Sequence, residues 1–464
     1  MASGKSFDRL RMPDDQTIIA QCTPSGAGAI ALIRLSGIDA LTIAVRMSCL
    51  ASTKKLDTVQ SHTIHYGTVI DSNDRIVDQV LFFVMHGPKT FTGQHVVEIS
   101  CHNNPFIIQE IIEQAIEYGA RLAQEGEFTK RAVLNGKLDL VQAEAINDLF
   151  HAHTTAALKK SLAQLEGNFS HAVHAIEKEI LKSIALCEAS FEFIDEEITF
   201  DDQIKTIIDA TITSIAQIKK NFDQQQQIKD GVRIAIIGSV NAGKSSLFNA
   251  LLGKKRAIVT NIAGTTRDSI EAGVYRAHHY WTLIDTAGIR QTDDVIEQEG
   301  INRSFEQAAL ADIILLVFDS SNTMTAQEQQ VYTDLFAAHK NKIIVVGNKA
   351  DLQQISTIAL KPDISVSSAT NSNIGALEIL IEEKINTLFA HADSPFLLNT
   401  RQFNLIQSLE KKLINAQEQF TDAIAYELLS IHLNDALACL SELTGKDVSE
   451  QAMDAIFKEF CIGK

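Results

Sequence analysis

Proline is scarce in this 464-residue sequence: there are 6 in all, and none lies between Pro105 and Pro362. Glycine thins out as well between Leu138 and Lys229, where Gly167 stands alone. Loss of both helix breakers over such a stretch excludes a turn-rich β domain there and suits long helices. No apolar run reaches the roughly 20 residues of a membrane span, and the N-terminus lacks the apolar segment of a secretory signal. The six cysteines, Cys22, Cys49, Cys101, Cys187, Cys439 and Cys461, form no C-x-x-C pair. Free thiols are therefore expected, as is a cytoplasmic location. Cys101-His102 comes nearest to a metal pair, but two adjacent residues without further ligands are more simply core and surface neighbours. An excess of positive charge is also missing: the net charge is −17. A polyanion such as RNA would meet a repulsive average field unless it approached a local basic patch or a partner protein.

The length suits about three domains of ordinary size. The first 16 residues carry no periodicity and read as a poorly ordered tail. Strand patterns follow at Thr17–Gln21, Ala29–Leu35, Thr63–Ile70, Val80–Met85 and Val96–Ser100, and a helix over Pro105–Tyr118, so an α+β domain is expected over 17–130. Apolar residues three and four apart in Ala143–Leu165 and Ala175–Phe193 predict packed helices over 131–229. Gln224-Gln-Gln-Gln227 reads as a solvated linker. From 230 to 388 short apolar runs alternate with helical patterns, and helices return over 389–464. The simplest architecture is a multidomain α/β plus α chain, in which an α/β domain is inserted into a helical one.

Gly238-Ser239-Val240-Asn241-Ala242-Gly243-Lys244-Ser245 fits G-x-x-x-x-G-K-[ST], preceded by the strand pattern Val232–Ile237 and followed by helical Ser246–Leu252. Strand, glycine loop and helix make a phosphate cradle, because glycines let backbone N–H groups close on phosphate and the helix N-terminus adds partial positive charge. Lys244 would reach the β and γ phosphates, and Ser245 would bind Mg2+, with Ser246 beside it. Asp285-Thr286-Ala287-Gly288 closes a second predicted strand, where Asp285 can serve the Mg2+ shell and the Gly288 N–H can sense the γ phosphate. Asn348-Lys349-Ala350-Asp351 closes a third. The Asp351 carboxylate can accept from both N1–H and the 2-amino group of guanine, which adenine cannot offer. Ser367-Ser368-Ala369 fits the loop on the other side of the base.

In this stretch the chain resembles the translation-factor-like small GTPases. The resemblance places Thr260, Asn261, Ile262, Ala263, Gly264, Thr265 and Thr266 in the first switch, with Thr266 completing the Mg2+ coordination of Ser245. Ras-like proteins have a water-positioning glutamine after D-x-x-G, whereas Ile289 stands here and cannot orient water. Asn241 with Gly264-Thr265-Thr266 resembles GTPases that bind K+ beside the phosphates, which implies Asn241, Thr260, Ile262 and Thr265 as its ligands and the ion as the source of catalytic charge. Glu297 can order the attacking water, although Glu299 has similar credentials and a solvated helix carboxylate is the plain alternative. The catalytic set is then Lys244, Thr265, Thr266 and Glu297.

Three further stretches, Thr90–Ile99, Gly126–Ala145 and Phe460-Cys-Ile-Gly-Lys464, are similar to the MnmE (TrmE) family of tRNA-modification GTPases, and the similarity runs from about residue 17 to the end. It implies an N-terminal folate-binding α+β domain, a helical domain and an inserted Ras-like G domain, assembled as a homodimer through the N-terminal domains. It also implies installation of an aminomethyl or carboxymethylaminomethyl group at C5 of wobble uridine in tRNA. The flavoprotein MnmG (GidA) would be the partner and carry FAD, and a 5-formyl-tetrahydrofolate-type folate would supply the carbon. Carried onto this chain, the folate contacts are Arg34, Glu98, Lys137 and Lys464; alone, Arg34 and Lys137 read as ordinary surface cations. Cys461 reads either as a reactive thiol on a mobile tail or as a small apolar contact after Phe460. The chain departs from the family pattern at Ala27 in the first glycine turn, at Asn103 and Asn104 in place of two glycines, at Gln94 in place of glutamate, and at Val240 and Thr370 in the G domain. The rival readings are a K+-dependent GTPase switch in ribosome assembly, which would be expected to carry a basic RNA-binding appendage, and a freestanding folate enzyme regulated by its GTPase.

Overall fold

A computed structural model describes residues 16–52, 54–152, 154–192, 200–220, 222, 231–253, 270–276, 279–285, 306–354, 361–389, 396–420 and 424–463. They form two compact units. One comprises the described residues of Met1–Asn147, Gln164–Ile207 and Asn415–Lys464, the other those of Asp148–Ala163 and Ile208–Ile414. Of the tail expected over residues 1–16, residues 1–15 lie outside the described residues, as does the Gln224–Gln227 linker, while Gln16 Nε2 donates to Gly119 O at 3.2 Å.

The first unit contains a sheet of seven strands: β1 (Ile18–Gln21), β2 (Ile30–Ser36), β3 (Ser48–Leu50), β4 (Thr63–Ile70), β5 (Ile76–Met85), β6 (Val96–His102) and β7 (Arg121–Leu122). Their order is β3-β4-β5-β6-β2-β1-β7. Neighbours are antiparallel except β1 and β7, which run parallel. Alternation along β2 explains its orientation: Ala31, Ile33 and Leu35 are buried, while Ile30, Leu32 and Arg34 are not. The buried face joins Phe82, Val84, Val97 and Ile99 in one core with Ile43 of the helix Ala40–Arg46 and Ile111 and Ala115 of the helix Pro105–Glu117. The latter helix starts where Asn104 Oδ1 accepts from Phe106 N and Pro105 occupies the first turn.

Helices complete this unit. Asn168–Glu192 packs along Tyr426–Thr444, and the buried Cys187 thiol donates to the Tyr426 carbonyl at 3.4 Å. The amphipathic helix Glu450–Phe457 buries Met453 and Phe457 against Leu140, Ala143 and Phe460.

The second unit carries β8 (Val232–Gly238), β9 (Ile270–Arg276), β10 (His279–Asp285), β11 (Ile313–Asp319), β12 (Ile343–Asn348) and β13 (Ile364–Ser365), in the order β13-β12-β11-β8-β10-β9. All pairs are parallel except β9 with β10. The unbroken apolar runs of β8, β11 and β12 follow from burial on both faces. Ile234, Ile236, Leu315 and Val346 enter one core with Leu247 and Leu377; Ala235, Ile237, Leu316 and Val345 enter another with Tyr332 and Leu335. The helical pattern over Ala143–Leu165 is divided between two helices, Leu140–Phe150 and Thr155–Leu165. The Thr154 hydroxyl accepts from Ala157 N at 3.0 Å and so starts a new helix.

At the junction of β7 with the helix Glu127–Leu134 sits a buried ion cluster. Arg121 grips both carboxylate oxygens of Glu127 at 2.7 and 2.8 Å, Arg131 adds a third contact at 2.8 Å, and Gln124 N donates at 2.9 Å. Burial pushes the Glu127 pKa up, but the Arg121 hydrogen bonds, the Gln124 N–H and Arg131 together outweigh it and hold the carboxyl below its ordinary 4.5. The stabilisation is therefore complete above the unfolded-state value and is lost as pH falls through the lower folded value. Glu127→Gln should cost about 3 kcal/mol at neutral pH and flatten the acid limb of stability below pH 4.5; urea unfolding of both proteins between pH 3 and 7 checks it. Parallel acid limbs would show that Glu127 contributes nothing to acid sensitivity.

Candidate nucleotide site

The phosphate loop leaves the C-terminal end of β8 and enters the helix Lys244–Leu252. Two glycines in it are dictated by close approach. A Cβ on Gly238 would lie 2.1 Å from the Val317 carbonyl of β11, and one on Gly243, at φ +86°, would lie 2.2 Å from Asn348 Nδ2. Asn241 also adopts positive φ, at 64°. Ala242 is buried while Asn241, Ser245 and Ser246 are exposed, so the loop and the helix N-terminus offer polar groups to solvent. Lys244 Nζ bends back over the loop and donates to Gly238 O and Ser239 O, each at 2.8 Å. Burial pushes the Lys244 pKa down, and the charge of Asp285 partly offsets this. Asp285 itself is 2% exposed at the end of β10. A hydroxyl at Ser245 with a carboxylate at Asp285 is a hard oxygen donor set that suits Mg2+.

The base-side motif closes on the same loop. Asn348, fully buried at the end of β12, donates from Nδ2 to Ala242 O at 2.9 Å and to Ser368 Oγ at 3.2 Å, and its Oδ1 accepts from Ser368 N at 3.1 Å. One side chain thereby ties the phosphate loop to the Ser367–Ala369 loop. Lys349 has φ 60° and its ammonium donates to Asp319 Oδ2 at 2.7 Å. Asp319 was not singled out in the sequence, although it ends β11 as Asp285 and Asn348 end their strands, and that position was the available signal. Burial raises its pKa, but hydrogen bonds from Lys349 and Ser321 win and lower it. Asp351 and Ala369 are exposed beside this loop system. The structure thus brings Gly238, Asn241, Ala242, Gly243, Lys244, Ser245, Ser246, Asp285, Asn348, Lys349, Asp351, Ser368 and Ala369 to the carboxyl ends of one parallel sheet. Thr260, Asn261, Ile262, Ala263, Gly264, Thr265, Thr266, Thr286, Ala287, Gly288 and Glu297 lie outside the described residues.

In the first unit, Arg34 and Glu98 face each other across β2 and β6, and Arg34 Nε donates to Glu98 Oε1 at 2.7 Å. The guanidinium also lies over the Phe128 ring, 5.4 Å from its centroid. Among the described residues the terminal guanidinium nitrogens and Glu98 Oε2 make no further hydrogen bond, so the pair retains a fork for a carboxylate and an acceptor for a ring N–H, the groups a folate presents. Lys137 is exposed, without a side-chain partner among the described residues. Lys464 lies outside them. Three of the departures from the family pattern have structural jobs. Asn103 Nδ2 donates to Gly26 O at 2.7 Å and braces the first glycine turn, Asn104 caps a helix, and Gln94 Oε1 accepts from Arg131 at 3.0 Å. Cys101 is buried in the sheet core, where burial and the neighbouring Asp78 push its thiol up to about 11, while His102 Nδ1 pairs with Asp78 at 2.8 Å.

Around Cys461, for which a mobile tail and a contact after Phe460 were both open, the chain makes contacts with Cys22, Glu125 and Gly126. Ile462 bridges Glu125 antiparallel, Cys461 O accepts from Gly126 N at 3.4 Å, and Gly463 O accepts from the Cys22 thiol at 3.1 Å. Gly463 has φ +92°, and a Cβ there would lie 2.4 Å from Gln21 O. Backbone bonds therefore pin the chain through Gly463 while the Cys461 residue stays exposed.

A parallel sheet flanked by helices, with a phosphate loop, a buried strand-end aspartate and an N-K-x-D turn at its carboxyl edge, defines a P-loop hydrolase of the guanine-nucleotide class. Residues 17–137 match the family described as GTP-binding protein TrmE N-terminus, and residues 140–461 match the MnmE helical domain. The tRNA modification GTPase MnmE of Streptococcus pyogenes serotype M4 is 39% identical over 477 residues, covering 100% of both chains. Those of Christiangramia forsetii and Bacillus pumilus are each 36% identical, covering 97% of this chain and 99% and 100% of the relatives. This chain belongs to the MnmE family of tRNA modification GTPases, and its enzymatic activity is the hydrolysis of GTP.

Asn348→Ala removes the four side-chain hydrogen bonds that join two loops, so GDP affinity should fall by at least about tenfold in a fluorescent-nucleotide titration. Wild-type affinity would mean that the loops hold their places without it.

Proposed function

We propose that this protein couples GTP hydrolysis to addition of an aminomethyl or carboxymethylaminomethyl group at C5 of the wobble uridine of tRNA, together with the flavoprotein MnmG. The observation that carries the reading is full-length relatedness to tRNA modification GTPases in a chain that joins an intact phosphate loop to the Arg34–Glu98 sheet. The division of labour is an N-terminal folate-binding and dimerisation domain over 17–130, a helical domain over 131–229 and 389–464, and a G domain over 230–388. Two copies meet through the N-terminal domains.

In hydrolysis the loop N–H groups and the helix N-terminus bind the phosphates, and Lys244 exchanges the Gly238 and Ser239 carbonyls for phosphate oxygens. Asp351 selects guanine while Lys349, held by Asp319, lies beside the base. Ser245 and Thr266 would hold Mg2+, whose charge neutralises the β and γ oxygens. Asn241, Thr260, Ile262 and Thr265 would hold K+, which adds positive charge where an arginine finger otherwise would. Glu297 orients the attacking water. Arg34, Glu98, Lys137 and Lys464 would hold a formyl-tetrahydrofolate, the one-carbon source, near the pinned tail that presents Cys461. Few basic residues are needed for this role, since the partner can supply tRNA-binding surface to a chain of net charge −17.

The test is nucleoside mass spectrometry of tRNA from cells lacking this protein, complemented with wild type, Lys244→Ala or Cys461→Ser. Modified wobble uridine should vanish without the protein and return only with wild type. Its presence in the deletion strain would sink the tRNA reading and favour a ribosome-assembly switch. In vitro, GTP hydrolysis should run at least about tenfold faster in K+ than in Na+, the scale of one oxyanion-stabilising charge; equal rates would remove K+ from the mechanism.

A further inference from the structure

The phosphate loop is held from a side that none of its sequence motifs touches. Tyr332 lies on the helix Ala326–His339, which begins with a capping box between Thr325 and Glu328 and buries Tyr332 and Leu335. The Tyr332 ring is 4% exposed and sits in the core that backs β8, β11 and β12. Its hydroxyl does two things at once. It accepts from the backbone N–H of Ser239, the second residue of the phosphate loop, at 2.7 Å, and it donates to the backbone carbonyl of Val317 in β11 at 2.6 Å. Val317 O is the same atom that bars a Cβ from Gly238, and Tyr332 Oη would lie 3.1 Å from such a Cβ. The glycine lets β8 and β11 close up, and the phenol fills the remaining gap.

We propose that Tyr332 is a positioning residue for GTP binding: its hydroxyl fixes the plane of the Gly238–Ser239 peptide and thereby the exit angle of the phosphate loop from β8. The Gly238–Ser239 peptide is clamped at both of its polar groups, because its carbonyl, Gly238 O, accepts from Lys244 Nζ at 2.8 Å. When Lys244 turns to phosphate, its share of that clamp is released and the phenol remains as an anchor that no ligand displaces. A hydroxyl suits the place because it must be acceptor and donor together, which a carbonyl or an ammonium cannot be. Burial also pushes the Tyr332 pKa up, so the proton given to Val317 O is retained at any pH the enzyme meets. No motif marks the residue, since its helix approaches the loop only through the tertiary fold.

Tyr332→Phe keeps the ring and deletes both hydrogen bonds. The variant is expected to bind GTP and GDP about five- to tenfold more weakly, the effect of leaving a part-buried backbone donor unpaired, with KM raised in proportion and kcat at saturating GTP within about twofold. Hydrogen exchange read at the Ser239 amide should quicken at least about tenfold while strands β8 and β11 stay protected. Leu335→Ala is the control, since it opens a cavity in the same helix and core without touching the loop. It should lower thermal stability and leave nucleotide affinity unchanged. Affinity within twofold of wild type in Tyr332→Phe, or an equal loss of affinity in Leu335→Ala, would overturn the proposal. Should Tyr332→Phe not fold, the wild-type protein still decides: a Ser239 amide that exchanges at the solvent rate in the folded enzyme would overturn it, and a protected one would uphold it.

Discussion

The nucleotide half of this protein depends on glycine backbone being approached more closely than a Cβ would permit. A phosphate can be bound by N–H groups only if the loop carrying them is bent back tightly, and that bend needs Gly238 against Val317 and Gly243 against Asn348. Everything near the loop then serves to hold those contacts. Asn348 ties the loop to the Ser368 turn, Tyr332 ties it to β11, and Lys244 spans its own carbonyls. The sheet behind, buried on both faces, gives these anchors a rigid frame.

The two sheets solve different problems. The six-stranded, mainly parallel sheet hides both faces and offers its carboxyl edge, so its polar residues cluster where strands end, at Asp285, Asp319 and Asn348. The seven-stranded, mainly antiparallel sheet hides one face under helices and leaves the other partly open, so Arg34 and Glu98 can stand in the middle of strands without disturbing a core. The partners of that open face are provided by chain ends far apart in sequence. The Glu127 cluster locks β7 to the following helix, and the helix Glu450–Phe457 brings the C-terminal residues back to Gln21 and Gly126. A Gly at 463 is needed for the same reason as in the phosphate loop, close approach at positive φ.

Much of the architecture was legible in the chain. Period-two alternation marked β2, β4 and β6, unbroken apolar runs marked β8, β11 and β12, and the absence of proline marked the helices. Lys244, Ser245, Asp285, Asn348 and Asp351 were marked as candidate ligands by local motifs, because phosphate and base recognition use residues a fixed few positions apart on one turn. Short edge pieces such as β3, β7 and β13 were not legible, since two or three residues carry no periodicity and exist only because a neighbouring strand pairs with them. The break between the helices Leu140–Phe150 and Thr155–Leu165 turned on one threonine cap within an apolar pattern that continued across it.

The amino-acid order alone carried the succession of the elements, the motifs that name candidate phosphate and base ligands, and the family. Tertiary structure alone decided which groups meet over long separations: Arg34 with Glu98, Cys22 with Gly463, Asn103 with the Gly26 turn, Tyr332 with Ser239. The physical reason is range. Hydrophobic period and turn chemistry act between residues a few positions apart, whereas a hydrogen bond acts only within about 3 Å and says nothing until the chain has brought its partners together.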